Sequence, residues 1–484
     1  MFGFFPALFV CWSLFGQSDV PAKLVARAES GSAMLNDLRE LCDTIGGRAT
    51  GSRECERAVA WGAAKFKAAG VTHVKLEPYT IPHIWLPGTI SVEAVAPAQF
   101  PIRAAAAPVS PSTAGAIEAP VIDVGNGSPE AFAKAAGGLK GAIVLVHSSE
   151  MKSLDDLFAE YLRNPGINTA AKRYGVAAVL LESSRPRGLL YRHPVSLGLD
   201  LAPVPMAIVS REHAERLARL AERGEVRVRL SIADRISGPY RAANVVAEIP
   251  GTDKRNELVV IGAHLDSWDL GTGAQDNGVN AATVIDVARA FVQLGLQPRR
   301  TVRFILFTGE EQGMLGSEAY VAQHKAELDN HVAFMTFDVG SGHTSGFYLN
   351  GREELRQPVN AILEAAGISG ANDHTDEAID GTDNFDFLIS GVPNLVALQD
   401  AAPYLPDYHA ESDTFDKVNW KEAQRNDAIA AVMMWGLAES ADRLATRQSR
   451  GEIEKTLHET KIDEQMKLFD QWDDFAAGRR GSPK

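Results

Sequence analysis

Apolar positions along this chain follow two rhythms. Over 34–69 they recur every three or four residues, which predicts helix, interrupted by the loop GGRATGS at 46–52. VTHVKLEPYTI (71–81) alternates instead, and TISVEAV (89–95) reads as a second strand. AAAAPVSPSTAGAIEAP (104–120) is rich in Ala, Pro and Ser and marks a boundary. Beyond it APVIDVG, GAIVLVHSS, AAVLLESS, VPMAIVS and VRVRLSI are short apolar strands. Helical stretches near 129–137, 155–175 and 211–223 separate them, so a small α/β unit is expected. From Asn244 onward NVVAEIP, LVVIGAHLD, TVRFILFTGEE, VAFMTFDVGSG and VPNLVALQD alternate with helical runs such as VNAATVIDVARAFVQLG. Strands alternating with helices predict an α/β fold built on a doubly wound, mostly parallel sheet. Residues 451–475 read as one charged amphipathic helix, and AAGRRGSPK after it as a frayed end.

At 484 residues the chain is too long for one ordinary core. The shifts in pattern divide it into an apolar leader (1–18), a main domain in two parts (19–109 and 233–448), an insert (110–232) and a charged helix with a tail (449–484). The leader is apolar from Phe2 to Phe15, too short for a bilayer anchor, and resembles an export signal. No Lys or Arg precedes it, so either the signal is atypical or the true start lies upstream. The alternative is an apolar N-terminal element of a cytosolic protein. No later run of ~20 apolar residues predicts a stable membrane anchor.

Composition narrows the function less. A hydrophobic share of 45% and a charged share of 23% suit a soluble globular protein, and a net charge of −14 argues against nucleic acid as a partner. Cys11 falls in the leader. Cys42 and Cys55 flank the Gly-rich loop and either pair or stay free. Neither has CxxC spacing, so no thiolate zinc site is expected.

Ligands of an open α/β sheet bind beyond the carboxyl ends of its strands. There the sequence places His264 and Asp266 after LVVIGA, Glu310 and Glu311 after TVRFILFTG, and Asp338 after VAFMTF. His409 follows NLVALQD by a short loop, and Asp276 sits in HLDSWDLGTGAQDNG (264–278) ahead of the next helix. Any one of these acids alone would be a solvated loop residue or a helix cap, the commoner fate. Five signals at one end of one sheet point instead to divalent metal held by imidazole and carboxylate. Two metals ~3.5–4 Å apart need a bridging carboxylate, for which Asp276 is the candidate. Of Glu310 and Glu311, one would ligate and the other act as general base.

The same residues carry a resemblance. H-x-D, an Asp twelve residues after that His, a Glu-Glu pair, an Asp closing a later strand and a late His resemble the co-catalytic zinc exopeptidases. That family includes bacterial aminopeptidases, glutamate carboxypeptidase and carboxypeptidase Q. The wording of HLDSWDLGTGAQDNG and TGEEQGMLGS is most similar to the carboxypeptidase Q subgroup, and 110–232 resembles that subgroup's inserted protease-associated domain. The resemblance implies two Zn(2+) per chain, with Co or Mn as substitutes. His264 and Asp338 would hold one, Glu311 and His409 the other, with Asp276 between them and Glu310 as base. Asp266 would bond the free nitrogen of His264 and fix its tautomer. A cis peptide after Asp276 is also implied. Asp383, Asn384 and Tyr408 are candidates for substrate contact, and Asn384 stands where relatives often carry His. Asp269 has no ligand slot and is expected in a turn, or else lining the substrate pocket.

The expected reaction is hydrolysis of dipeptides or short peptides by a hydroxide shared between two zinc ions. Release of N-terminal residues, as by an aminopeptidase, is the nearest alternative. Glutaminyl cyclase-like acyl transfer with one metal, and a metal-free receptor-like module, are alternatives from other classes. A homodimer is implied by the subgroup. The insert is expected to roof the cleft and limit substrate length.

Overall fold

A computed structural model describes residues 19–196 and 200–482. The expected leader, with Cys11, lies outside the described residues. Cys42 and Cys55 are buried and unpaired.

Seven strands form the main sheet, in the spatial order 73–81, 240–249, 300–307, 254–264, 331–336, 394–399 and 344–348. The four from 300–307 to 394–399 run parallel, and the flanking pairs are antiparallel. Arg300–Phe307 and His331–Thr336 are buried along their whole length, which is why they read as continuous apolar runs. Successive side chains leave opposite faces. Val259, Ile261, Phe304 and Met335 pack on one face under the helices Arg53–Ala68, Val279–Gln293 and Trp420–Glu439. Val260, Ile305, Phe307 and Phe334 pack on the other, where Phe387 stacks on Phe334 at 3.9 Å between ring centroids.

Strand Lys254–His264 lies between the strand that follows it in sequence, Arg300–Phe307, and the next, His331–Thr336. The winding direction therefore reverses at the carboxyl end of Lys254–His264, where a crevice opens.

A second sheet of eight strands is ordered 100–101, 84–96, 227–237, 117–123, 143–146, 178–182, 206–209 and 104–106. TISVEAV lies in this sheet, because Ile84–Ala96 pairs antiparallel with Arg227–Ser237. The sheet thus takes in chain N-terminal to residue 110. Pro129–Ala135 and Leu154–Tyr174 cover one face and Arg211–Ala221 the other.

The C-terminal segment differs from the single helix expected. It forms three helices, Arg450–Glu459, Ile462–Leu468 and Trp472–Ala477, because Lys461 (φ 62°) and Asp470 (φ 57°) adopt left-handed backbone. Nor is the end frayed up to Ser482. Arg480 donates to both carboxylate oxygens of Asp386 at 2.9 Å, and the Ser482 N–H donates to the Ile389 carbonyl. Among the described residues, no helix is long and apolar enough to cross a membrane.

Candidate metal centre

His264 is the last residue of the switch-point strand and is buried. Its Nε2 stands 3.1 Å from Asp276 Oδ1 and 3.0 Å from Asp338 Oδ1. His409 Nε2 stands 3.3 Å from Asp276 Oδ2 and 2.9 Å from Glu311 Oε2. Two triads result, His264–Asp276–Asp338 and Asp276–Glu311–His409, and in each the candidate ligand atoms lie within 4.8 Å of one another. Asp276 belongs to both and turns a different oxygen to each imidazole. The peptide bond between Asp276 and Asn277 is cis.

The tautomers follow from the other ring nitrogens. His264 Nδ1 lies 3.0 Å from the Asp266 carbonyl and His409 Nδ1 lies 2.9 Å from the Arg192 carbonyl. A carbonyl only accepts, so each Nδ1 carries a hydrogen, and Nε2 is the atom each ring turns toward the carboxylates, as a lone pair when the ring is neutral. Asp276 Oδ2, Glu311 Oε1 and Asp338 Oδ1 are buried without a hydrogen bond. Lone pairs converging on lone pairs in a buried site fit a cation between them, and imidazole with carboxylate suits zinc, manganese or cobalt.

The electrostatics say the same. Burial pushes Glu310 and Glu311 well above the usual carboxylate range. His264 opposes this, while Asp338 adds to the shift of both and Asp276 to that of Glu311. Burial also raises Asp266 and Asp338. Burial alone would lower His264, but Asp338 and Glu310 outweigh it and hold the ring well above the imidazole range. Burial pushes His409 down to about 4. So many carboxyl groups cannot all ionise side by side without cationic charge among them. Glu310 stands slightly apart, with Oε2 3.8 Å from His264 Nε2 and its side chain 13% exposed.

Other expected residues lie differently. The Asp266 carboxylate does not brace His264. Its Oδ1 is 3.8 Å from the ring nitrogen, and the backbone carbonyl takes that place. The carboxylate instead accepts from Thr50 Oγ1 at 2.9 Å and, at 3.4 Å, from the Glu310 N–H. Asn384 is fully buried. Its Nδ2 donates to the Ile379 carbonyl at 2.9 Å and lies 3.3 Å from Asn394 Oδ1, within a buried amide network. Asp383 is fully buried next to it, and burial holds its carboxyl well above the usual range. Tyr408 stacks on His409 at 3.7 Å and shares a hydrogen bond with Tyr161 at 2.9 Å. Asp269 is ion-paired with Arg192 through both oxygens, each at 2.8 Å.

Several residues that shape the site carried no sequence signal strong enough to single them out. Arg48, fully buried, donates to the carbonyls of Leu265, Thr272 (2.7 Å) and Gly273 (2.8 Å) and so laces the loop between His264 and Asp276. Gly47 lets it approach, since a Cβ there would sit 2.6 Å from Asp269 Cα. The Asp413 carboxylate accepts the N–H groups of Gln275 (2.7 Å) and Asp276 (3.1 Å). The Gly-Gly pair at 46–47 was the available clue to Arg48. Beside the centre lies a cleft of about 290 Å³ whose lining includes Ile84, Trp85, Leu201, Ile236, Trp268 and Gln312.

Comparison with known proteins identifies the family. Residues 244–434 match the model of Peptidase family M28. The chain is 30% identical over 412 residues to carboxypeptidase Q of Bos taurus, covering 84% of this chain and 85% of that one. A crystal structure of a peptidase M28 precursor from Shewanella amazonensis superposes with a TM-score of 0.80 at 28% identity, covering 89% of this chain and 99% of that one. BSAP, a zinc aminopeptidase from Bacillus subtilis, shares the fold at a TM-score of 0.68 and 19% identity, over 87% and 98% of the two chains.

Proposed function

This chain belongs to peptidase family M28 and is a metallo-exopeptidase; on that premise we propose that it hydrolyses dipeptides or short peptides at a centre for two zinc ions. The observation that carries the proposal is the pair of triads sharing Asp276. A single-metal acyl transferase would not need a second imidazole with its own carboxylate.

In this reading His264 and Asp338 would hold one ion and Glu311 and His409 the other, with Asp276 shared between the two triads. Zinc bound at such a site supplies Lewis acidity, which polarises a carbonyl and makes water a nucleophile near neutral pH. Glu310 lies beside the triads without belonging to either, so its carboxylate is free to take a proton from the attacking water and deliver it to the leaving amine. Asp266 holds the Glu310 backbone through its N–H. Tyr408, stacked on His409, has its hydroxyl hydrogen-bonded to that of Tyr161.

The cleft is the proposed seat of the substrate side chain. At about 290 Å³ it lies at the small end of ligand sites, typically ~300–1,000 Å³, which suits a dipeptide better than a long chain. Val109, Asp200 and Leu201 line it together with Trp268 and Gln312. The reading includes a main domain within 19–109 and 233–448 and a protease-associated insert at 110–232 that roofs the cleft, its sheet completed by strands from 84–106 and by the end of strand 227–237. Export and a homodimer belong to it as well.

A panel of free, N-blocked and C-blocked dipeptides, assayed with zinc, cobalt and manganese, tests it. Cleavage of free dipeptides with loss on blocking either end is expected. Cleavage that tolerates a blocked or extended C-terminus would establish an aminopeptidase instead. No cleavage of any peptide by the metal-loaded protein would overturn the reading.

A further inference from the structure

The two imidazoles of the centre are positioned by different parts of the chain. His264 is braced locally, by the carbonyl two residues on. His409 is not. Its segment runs antiparallel to Leu190–Arg192, in the connection between the strands Ala178–Glu182 and Met206–Val209 of the second sheet. The Arg192 N–H donates to the His409 carbonyl at 3.0 Å, the Glu411 N–H to the Leu190 carbonyl at 3.0 Å, and Tyr191 bridges Ala410. Arg185 Nη2 donates to the Tyr408 carbonyl at 3.0 Å. The Arg192 carbonyl then fixes the His409 ring itself.

His409 also has a φ of 56°, a left-handed backbone that L side chains seldom adopt. Such a conformation persists where the surroundings over-determine it. Here the surroundings are the insert, and Arg192 is anchored in turn. Its guanidinium forks onto Asp269 at 2.8 Å twice, and Nη1 donates to the Ala106 carbonyl at 2.6 Å. Asp269 lies on the loop between His264 and Asp276. Arg192, within the insert, thus touches both that loop and His409.

We propose that Arg192, held by Asp269, is a positioning residue for His409, so that the insert sets one of the two metal triads as well as roofing the cleft. This rests on the two-zinc reading above. Breaking the Arg192–Asp269 fork frees the segment that dictates the His409 ring and backbone. The Asp276–Glu311–His409 triad then loosens, while His264, Asp276 and Asp338 keep their supports.

The test is zinc affinity, read by competition with a chromophoric chelator in wild type, Asp269→Asn, Arg192→Ala and Arg192→Lys. Circular dichroism and melting identify the variants that remain folded. Asp269→Asn keeps the side-chain shape, so it serves even where Arg192→Ala does not fold. One zinc equivalent is expected to weaken by about 10–100-fold in Asp269→Asn and Arg192→Ala, the usual effect of losing a ligand's support, with the other unchanged. Arg192→Lys restores only part, since an ammonium lacks the planar fork. A merely structural role would lower the melting temperature without separating the two affinities. Two wild-type affinities in folded Asp269→Asn, or equal weakening of both, would overturn the proposal. A wild-type protein that binds one zinc or none would overturn the two-zinc reading, and this inference with it.

Discussion

Thr50 donates its hydroxyl hydrogen to Asp266 at 2.9 Å and accepts the Gly309 N–H at 2.8 Å, so one buried hydroxyl ties two strand ends of the metal centre together. Thr50→Val keeps the shape and strands both partners. A buried polar group left unpaired costs about 1–3 kcal/mol. Urea denaturation should show a loss of that size, and an unchanged midpoint would mean that water replaces the hydroxyl.

Glu310→Gln removes the proposed base and keeps its volume. General-base catalysis contributes typically ~10²–10⁴-fold, so kcat on a dipeptide should fall by about that factor. Zinc content should stay at the wild-type value, because Glu310 belongs to neither triad. Undiminished turnover would remove Glu310 from the mechanism. Loss of zinc would make it a ligand.

Acid should destabilise the fold through imidazoles buried in neutral form. Burial, aided by the positive charge of Arg303, pushes His331 down to about 4, and burial likewise pushes His193 to about 4. Their unfolded value is about 6.5. The unfolded chain therefore binds protons first, and this contribution is present above pH ~6.5 and lost as pH falls toward 4. A shift of ~2.5 units corresponds to about 3 kcal/mol for each ring. His147 acts in the opposite sense, since Asp123 and Glu182 hold it up at about 10. Its contribution is present below pH ~6.5 and fades as pH rises toward 10, weakened by the ring's partial exposure. In denaturation midpoints measured across pH 4–7, His331→Gln should flatten the acid limb. An identical limb in wild type and variant would show that His331 does not report acid unfolding.

Arg480 should anchor the C-terminal tail. Burial disfavours its charge, yet Asp386 holds the guanidinium ionised. Arg480→Ala leaves the Asp386 carboxylate buried and uncompensated, a change that costs about 3–5 kcal/mol. Adding Asp386→Ala should cost much less than the sum of the two single changes. Additive losses in thermal melts would mean that the pair does not couple.

The doubly wound main sheet was legible because burial on both faces forces continuous apolar runs, as in TVRFILF and HVAFM. The edge strand Thr344–Tyr348 was not, since it is short and half polar. TISVEAV showed its alternation but not its partner, because a period-two pattern states which face is buried and not which sheet it joins. The C-terminal helix was drawn too long because Lys461 and Asp470 carry no glycine-like warning of positive φ.

The same division runs through the centre. His264, Asp276, Glu310, Glu311, Asp338 and His409 were visible in sequence because each stands at or just beyond the carboxyl end of a recognisable strand, and strand order alone brings such ends together. What holds them was decided only in three dimensions. Arg48, Thr50 and Arg192, which carry no motif themselves, act across 216–225 residues of sequence through hydrogen bonds to backbone or to motif side chains. A pattern along the chain records which side chains must be apolar or must ligate. It does not record which distant carbonyl a ring nitrogen will meet, because any residue can supply a carbonyl and only the fold selects it.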